Sequence, residues 1–308
     1  MRAVIVESFG EPEAAKVSEL PLPEPGAGEV RIRVTGAAVH PADLLTRSGA
    51  LAGVLPEQPH YRLGWDLAGT VDAVGEGVTS FRAGDRVVGL SDWFAALNGT
   101  QAEYVVLPAG SVAAAPSSVP AETAATLPLN GLTALQALDL LGLDRGQTLL
   151  VTGAAGGVGG FAVQLAVGRG LRVLGLAGSQ DKEFVTGAGA EWIERGDDAA
   201  DHVRAAVPGG VDGVFDTALI GAPALAAFRD GLVFVNVFPP AAPAAERGVR
   251  VDSVGVQSNG AQLAELVRLV DEGALTLRLA ATLPAEEVPA AHTRLGAGGS
   301  RGGIVLTF

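Results

Sequence analysis

The 308 residues contain no cysteine, one methionine, two tyrosines and three tryptophans, and aromatic residues make up only 5% of the chain. Without cysteine, disulfides, thiolate zinc sites and cysteine nucleophiles are excluded. Positive charge is scarce: 21 Lys and Arg stand against 34 Asp and Glu, a formal net charge of −13. That balance favours solubility and argues against nucleic-acid binding, which shows as a basic patch. An anionic ligand would have to be met by a few local groups. The start, Met1-Arg2-Ala3-Val4-Ile5-Val6, reads as a strand and then meets Glu7, so no targeting segment is expected and a cytoplasmic location fits. The four histidines, His40, His60, His202 and His292, are scattered without the spacing of a tetrahedral metal site. Internal repeats are absent.

One long stretch lacks charge altogether, Gly146 to Gly168. It is long enough to cross a bilayer, but Gln147, Thr152, Gln164 and a knot of glycines argue against a membrane span. The order within it is an apolar run, Leu149-Leu150-Val151-Thr152, then Gly153-Ala154-Ala155-Gly156-Gly157-Val158-Gly159, then residues at helical spacing. Strand, glycine turn and helix make the context of a dinucleotide-binding fingerprint, here Ala154-x-Gly156-x-x-Gly159. Gly156 would let the backbone approach a pyrophosphate, Gly159 would let the helix pack on the strand, and the helix N-terminus would present N–H groups and a positive dipole end. The same loop fits a short-chain reductase, but those enzymes rely on Tyr-x-x-x-Lys. Here the fourth residue after Tyr61 is Trp65 and after Tyr104 is Pro108.

Either side of this turn the pattern differs. Residues 1–117 carry short strand candidates punctuated by Gly and Pro: Val30–Val34, Leu67–Gly75, Gly84–Gly89 and Tyr104–Leu107, as in a barrel-like β domain. Composition shifts near Pro116–Pro120. Six strand candidates then alternate with helices: Thr148–Val151, Leu171–Leu176, Glu191–Ile193, Val211–Phe215, Gly231–Val237 and Val251–Val256, which predicts a doubly wound parallel sheet. Gln262–Asp271 has an apolar stripe at Leu263, Leu266, Val267 and Val270. The tail offers a strand at Thr276–Ala280, a helix near Ala285–Leu295 and a strand at Ile304–Thr307, expected to rejoin the first domain.

Short motifs run in a recognisable order: His40-Pro41-Ala42-Asp43, Gly64-Trp65-Asp66-Leu67-Ala68-Gly69, Gly84-Asp85-Arg86-Val87, Ala102-Glu103-Tyr104, Leu129-Asn130-Gly131-Leu132-Thr133-Ala134, the Gly153–Gly159 loop, Val214-Phe215-Asp216-Thr217 and Arg301-Gly302-Gly303-Ile304-Val305-Leu306. Over nearly its whole length the chain resembles the zinc-independent medium-chain dehydrogenases/reductases of the quinone oxidoreductase type. The resemblance implies an α/β protein: a GroES-like β-rich catalytic domain from residues 1–117 and 258–308, and a Rossmann doubly wound parallel-sheet domain from residues 118–257. Zinc-dependent relatives carry Gly-His-Glu where this chain has Gly64-Trp65-Asp66, so no zinc is expected. His40 stands where quinone oxidoreductases usually have Asn, in that family's active-site cleft.

What the resemblance implies for the site is specific. Asn130, Thr133, Ala155, Gly156, Gly157, Val158, Gly178, Ser179, Lys182, Arg195 and Arg301 would bind the cofactor, with Thr133 orienting the nicotinamide unless it only bonds its own helix. NADPH is expected over NADH. No acid sits at the tip of the second strand, and Ser179, Lys182 and Arg195 could receive a 2′-phosphate, although the two cations also read as ordinary surface charges. The chemistry implied is hydride transfer to a quinone. An alcohol substrate would need zinc or a strong acid–base group, and neither is evident in the sequence. His40 is a proton donor or a structural turn residue. Asp43 lines the cleft or caps the helix after Pro41. Asp66 faces the cleft or, as expected, pairs with Arg86. Trp93 and Phe94 form a wall for a flat ring or belong to the core. Reduction of enone or enoyl C=C bonds, and a non-catalytic NADPH-binding role as sensor or structural protein, remain alternatives. The apolar run Gly231–Val237, at the outer edge of the nucleotide sheet, would pair a homodimer. No nucleic acid and no membrane are expected as partners.

Overall fold

The structure is a computed structural model and describes residues 1–221 and 230–308. It divides into two compact units, Met1–Leu129 with Gln257–Phe308, and Asn130–Val256.

The first unit opens with β1 (Arg2–Val6) and β2 (Ala15–Glu19), followed by the long β3 (Glu29–Val39) and α1 (Pro41–Ser48). Then come β4 (Tyr61–Arg62), β5 (Asp66–Val74), β6 (Arg86–Leu90), the single turn α2 (Trp93–Ala96), β7 (Tyr104–Pro108), β8 (Val112–Ala114) and the short α3 (Ala121–Ala124). β2, β1 and β4 form a three-stranded sheet. Alternation along Val30-Arg31-Ile32-Arg33-Val34 puts Val30, Ile32 and Val34 in a core with Leu67, Val71, Val105 and Leu107. Residues 118–129, expected to open the nucleotide-binding domain, sit in this unit. Gly36 of β3 packs against Glu122 and Ala125, and Gly303 against Thr126. The change in composition near Pro120 therefore marks the start of a helix, while the boundary falls at Leu129.

The second unit begins inside α4 (Pro128–Leu141) and continues β9 (Thr148–Thr152), α5 (Gly157–Gly168), β10 (Arg172–Ala177), α6 (Lys182–Gly187), β11 (Glu191–Glu194), α7 (Ala199–Ala206), β12 (Gly213–Asp216), β13 (Val233–Asn236) and β14 (Arg250–Ser253). The six strands lie in the order β11-β10-β9-β12-β13-β14, every neighbour parallel. This is the doubly wound sheet expected from the sequence, with the chain reversing direction of travel at β9. Leu150, Leu174, Val214 and Phe234 fill one face. Gly231–Val237 is not at the edge: β13 lies between β12 and β14, and β14 is the outer strand.

The chain returns to the first unit through α8 (Gly260–Asp271), β15 (Leu279–Pro284), α9 (Val288–Gly296) and β16 (Gly303–Thr307). Leu263, Leu266, Val267 and Val270 are the buried face of α8. β15 starts at Leu279, not Thr276, because its register is set by β16. β16 pairs antiparallel with β3, completing a seven-stranded sheet ordered β15-β16-β3-β5-β6-β8, with β7 also paired to β3.

Candidate functional site

In the second unit, the glycine turn joins β9 to α5. Gly153 adopts φ +62°, open to glycine at little cost. A Cβ on Gly159 would lie 2.2 Å from the Gly153 carbonyl oxygen, so only glycine lets α5 approach the strand this closely. Gly156 is the N-cap of α5 and brings no capping side chain, and the first turn carries no acid. A Cβ there would meet only the Gly153 oxygen, at 3.1 Å. The start of this twelve-residue helix thus carries no capping side chain and little bulk at Gly156, which fits a phosphate group. Ala155 is buried behind the turn and Val158 half-buried in the first turn of the helix. The Asn130 amide packs against Gly157, 3.2 Å from where a Cβ would stand, and Thr133 follows it by one turn of α4, 7% exposed.

Behind the turn, Asp216 at the end of β12 is fully buried. Its carboxylate accepts from Thr152 Oγ1 at 2.5 Å and from the Ile220 and Gly221 N–H groups at 3.1 and 2.8 Å. This holds the loops after β9 and β12 together. The Val214–Thr217 motif was visible in sequence, but this bracing role was not.

Beyond β10 and β11, the Trp192 indole donates to the Gly178 carbonyl at 3.3 Å, and Lys182 Nζ stands 5.0 Å over the Trp192 ring. The Arg195 N–H donates to Ala177 O at 2.9 Å. Ser179, Lys182 and Arg195 are all exposed, and neither cation is ion-paired among the described residues. Asp181 is buried in the turn that starts α6. A cavity of about 350 Å³ beside them is lined by Thr152, Leu176, Arg195, Asp197, Val203 and Ile220.

A second cluster lies in the first unit. His40, 4% exposed, ends β3 and is the N-cap of α1. Its Nε2 lies 2.9 Å from Asp66 Oδ1. Asp66 is fully buried, and its Oδ2 accepts the Leu129 N–H at 3.0 Å. Its expected partner, Arg86, is elsewhere: the antiparallel register of β5 and β6 puts Asp66 opposite Leu90 and Arg86 opposite Thr70. Burial opposes a charge on His40, yet the Asp66 carboxylate outweighs it and raises the imidazole pKa. His40 and Asp43 form a capping box at the start of α1, in which each side chain accepts the other's backbone N–H.

Asp43 does the work of a cap. It accepts the His40 N–H at 2.8 Å, the Gly64 N–H at 2.8 Å and the Gln101 amide at 3.2 Å. Burial pushes its carboxyl up to about 6, against the opposing pull of His40 and these donors. Gly64 has φ +100°, and a Cβ would stand 2.4 Å from Gln101 N, so the motif needs glycine to present that N–H. Trp93 is core: 1% exposed, its indole donates to Arg62 O at 2.7 Å. Phe94 is 55% exposed and packs edge-on against Trp65. Arg301 belongs to the first unit, exposed ahead of β16, with its Nη1 donating to Gly299 O at 2.9 Å. The structure thus gathers His40, Asp43 and Asp66 in one cluster. It gathers Asn130 with the glycine turn in a second, and Gly178, Ser179, Lys182 and Arg195 in a third. Among the described residues no three His, Asp or Glu side chains are grouped to hold a metal, and no helix is long and apolar enough to cross a membrane.

A GroES-like β unit paired with a six-stranded Rossmann unit is the architecture of dinucleotide-linked dehydrogenases and reductases. The chain belongs to the medium-chain dehydrogenase/reductase family. Residues 26–117 match the alcohol dehydrogenase GroES-like domain, and residues 188–306 match the family described as zinc-binding dehydrogenase. The quinone oxidoreductase of Rattus norvegicus is 36% identical over 196 residues, covering 63% of this chain and 58% of that protein. The chain thus spans a little under three fifths of that curated relative. A crystal structure of an NAD-dependent alcohol dehydrogenase is 34% identical with a TM-score of 0.87, covering 100% of both chains. A mycobacterial protein solved in complex with NADPH is 29% identical with a TM-score of 0.84, again over 100% of both.

Proposed function

We propose that this protein is an NADPH-dependent, zinc-independent oxidoreductase that reduces a quinone by hydride transfer. The observation that carries the reading is the uncapped glycine start of α5, open to a phosphate and flanked by Asn130. The quinone oxidoreductase named among its relatives, and the neighbour solved with NADPH, support the substrate and the cofactor. In this reading the Gly156, Gly157 and Val158 backbone holds the pyrophosphate against Ala155, and Gly178, Ser179, Lys182 and Arg195 receive the 2′-phosphate. The adenosine half occupies the cavity beside Arg195. Thr133 orients the nicotinamide, and Arg301 is a further contact to the dinucleotide.

The bound cofactor supplies the hydride; the chain supplies position and a proton. His40 serves as the proton donor to the substrate oxygen, and Asp66 holds its ring and raises its pKa. Asp43 anchors the turn that carries His40. We also assign a homodimer formed through β14 and a cytoplasmic location.

The test is NADPH oxidation with a quinone beside a 2-alkenal. Faster turnover of the quinone supports the reading, and faster turnover of the alkenal reassigns the protein to C=C reduction. Tight NADPH binding with no turnover of either leaves a binding protein, and no binding of NADPH refutes the cofactor site.

A further inference from the structure

Trp192, half-buried on β11, touches two of the groups that would meet a 2′-phosphate. Resting on the NADPH reading above, we infer that Trp192 is a specificity-determining residue. Its indole positions Lys182 and the turn at Gly178, and so sets the preference for a dinucleotide with a 2′-phosphate over one without.

Strand pairing places the ring. β10 and β11 run parallel with Gly175 beside Trp192. Side chains paired across neighbouring strands leave the sheet on the same face. Val185 of α6 presses onto that face, 2.6 Å from where a Cβ on Gly175 would stand. The indole thus lies on the α6 side of the sheet, with no Cβ beside it on β10. From there its Nε1–H donates to the Gly178 carbonyl at 3.3 Å, an oxygen that also accepts the Asp181 N–H at 3.0 Å. This bond ties the turn that exposes Ser179 to the edge strand β11. Lys182, the residue after the turn, rests its Nζ 5.0 Å from the centre of the ring.

What the ring does for Lys182 follows from charge. Asp181 and Glu183 flank it in sequence, and neither pairs with it among the described residues. A carboxylate partner would hold the ammonium but also neutralise it and repel a phosphate. An aromatic face attracts the cation through its quadrupole and leaves the charge and the N–H donors for an anion. It also restrains a four-carbon stem that would otherwise lose its freedom on binding. Arg195 is placed differently: its N–H donates to Ala177 O at 2.9 Å, so the strand ladder sets its backbone. Loss of the ring should therefore cost the contribution of Lys182 and leave that of Arg195. Trp192 is a positioning residue; Lys182 is the group that meets the phosphate.

The experiment titrates the full chain calorimetrically with adenosine 2′,5′-bisphosphate and with AMP, which lacks the 2′-phosphate. Wild type should bind the bisphosphate about tenfold or more tightly than AMP. Trp192→Leu should weaken the bisphosphate about fivefold and AMP by less than about twofold. Trp192→Phe, which keeps an aromatic face, should recover most of the loss. In a Lys182→Met background Trp192→Leu should cost less than about twofold more, whereas in an Arg195→Gln background it should again cost about fivefold. Equal loss of both ligands in Trp192→Leu, a Phe variant no better than Leu, or a loss undiminished without Lys182 overturns the proposal and leaves the NADPH reading standing. A wild type that binds the two ligands alike defeats that reading as well. Where Trp192→Leu does not fold, proton NMR of the free wild type decides. The Lys182 ε-protons should lie upfield of their ordinary position, shifted by the indole ring current, and unshifted ε-protons overturn the placement.

Discussion

Replacing His292 by leucine should make the first unit resistant to acid. His292 lies on α9, is 1% exposed, and neither ring nitrogen has a hydrogen-bond partner among the described residues. Burial, and then the Arg47 guanidinium on α1, push its pKa down from 6.5 to about 4. A base whose pKa is lowered by folding is neutral in both states above the unfolded value. Between 6.5 and about 4 the unfolded chain binds a proton that the folded chain refuses, so stability is lost as pH falls through that window. At 1.36 kcal/mol per pKa unit the full loss is about 3 kcal/mol, and about 2 kcal/mol is already gone at pH 5. For a unit of this size that is a drop in melting temperature of roughly 4–8 °C at pH 5. His292→Leu has similar volume, removes two unpaired polar atoms, and should hold or raise stability at neutral pH. Melting curves of both proteins between pH 7.5 and pH 5 isolate this residue by difference, because every other titrating group is common to them. Parallel curves would show that His292 is not the acid-sensitive group and that its buried setting costs nothing on protonation.

The glycine turn yields a paired prediction. Gly156→Ala should melt within a degree or two of wild type while losing NADPH affinity about tenfold or more, because among protein atoms its Cβ meets only Gly153 O, at 3.1 Å, and would stand where the proposed pyrophosphate lies. Gly159→Ala should instead lower the melting temperature of the second unit, its Cβ being driven to 2.2 Å from Gly153 O; calorimetry and NADPH titration separate the two outcomes. Lys182→Glu with Arg195→Glu should shift the ratio of kcat/KM for NADPH over NADH about tenfold or more toward NADH, as expected when charge-assisted bonds worth about 1.5–3 kcal/mol are lost. An unchanged ratio would return both cations to the role of solvated surface charges. Light scattering should give twice the chain mass of 31.0 kDa. Arg250 and Val254 donate their N–H groups inward to Leu232 and Asn236, which turns the Val251 N–H outward, so Val251→Pro should yield folded monomer. A monomeric wild type removes the dimer.

Legibility followed chemistry that is local in sequence. The six parallel strands were readable because buried parallel strands are continuous apolar runs, and Gln262–Asp271 because its stripe repeats at helical spacing. β3 was read only over Val30–Val34. Its second half, Thr35-Gly36-Ala37-Ala38-Val39, carries small residues for a tertiary reason: a Cβ on Gly36 would stand 2.8 Å from the Val305 side chain. The strand edge was misplaced for the same kind of cause. Gly231–Val237 reads as an outer strand by its apolarity, yet the more polar Arg250–Ser253 covers it, and an edge strand that bears charge is the better-protected arrangement.

The candidate acid–base site shows where one-dimensional reading stops. His40 and Asp43 were found because a histidine and an acid flank one helix start, and their two possible roles could be written down. Which role each takes depends on Asp66, 26 residues away, and on a strand register that no local pattern specifies. Once β5 is paired to β3 and β6, Asp66 faces the imidazole and not a guanidinium. The same fold encloses Asp43 with three N–H donors and leaves it a cap. Two carboxylates in one cluster are thereby assigned different work by their hydrogen bonds: one spends its oxygens on the backbone and an amide, while the other keeps one for the ring. The acid and base that no single stretch of sequence carries are held apart along the chain until folding assembles them.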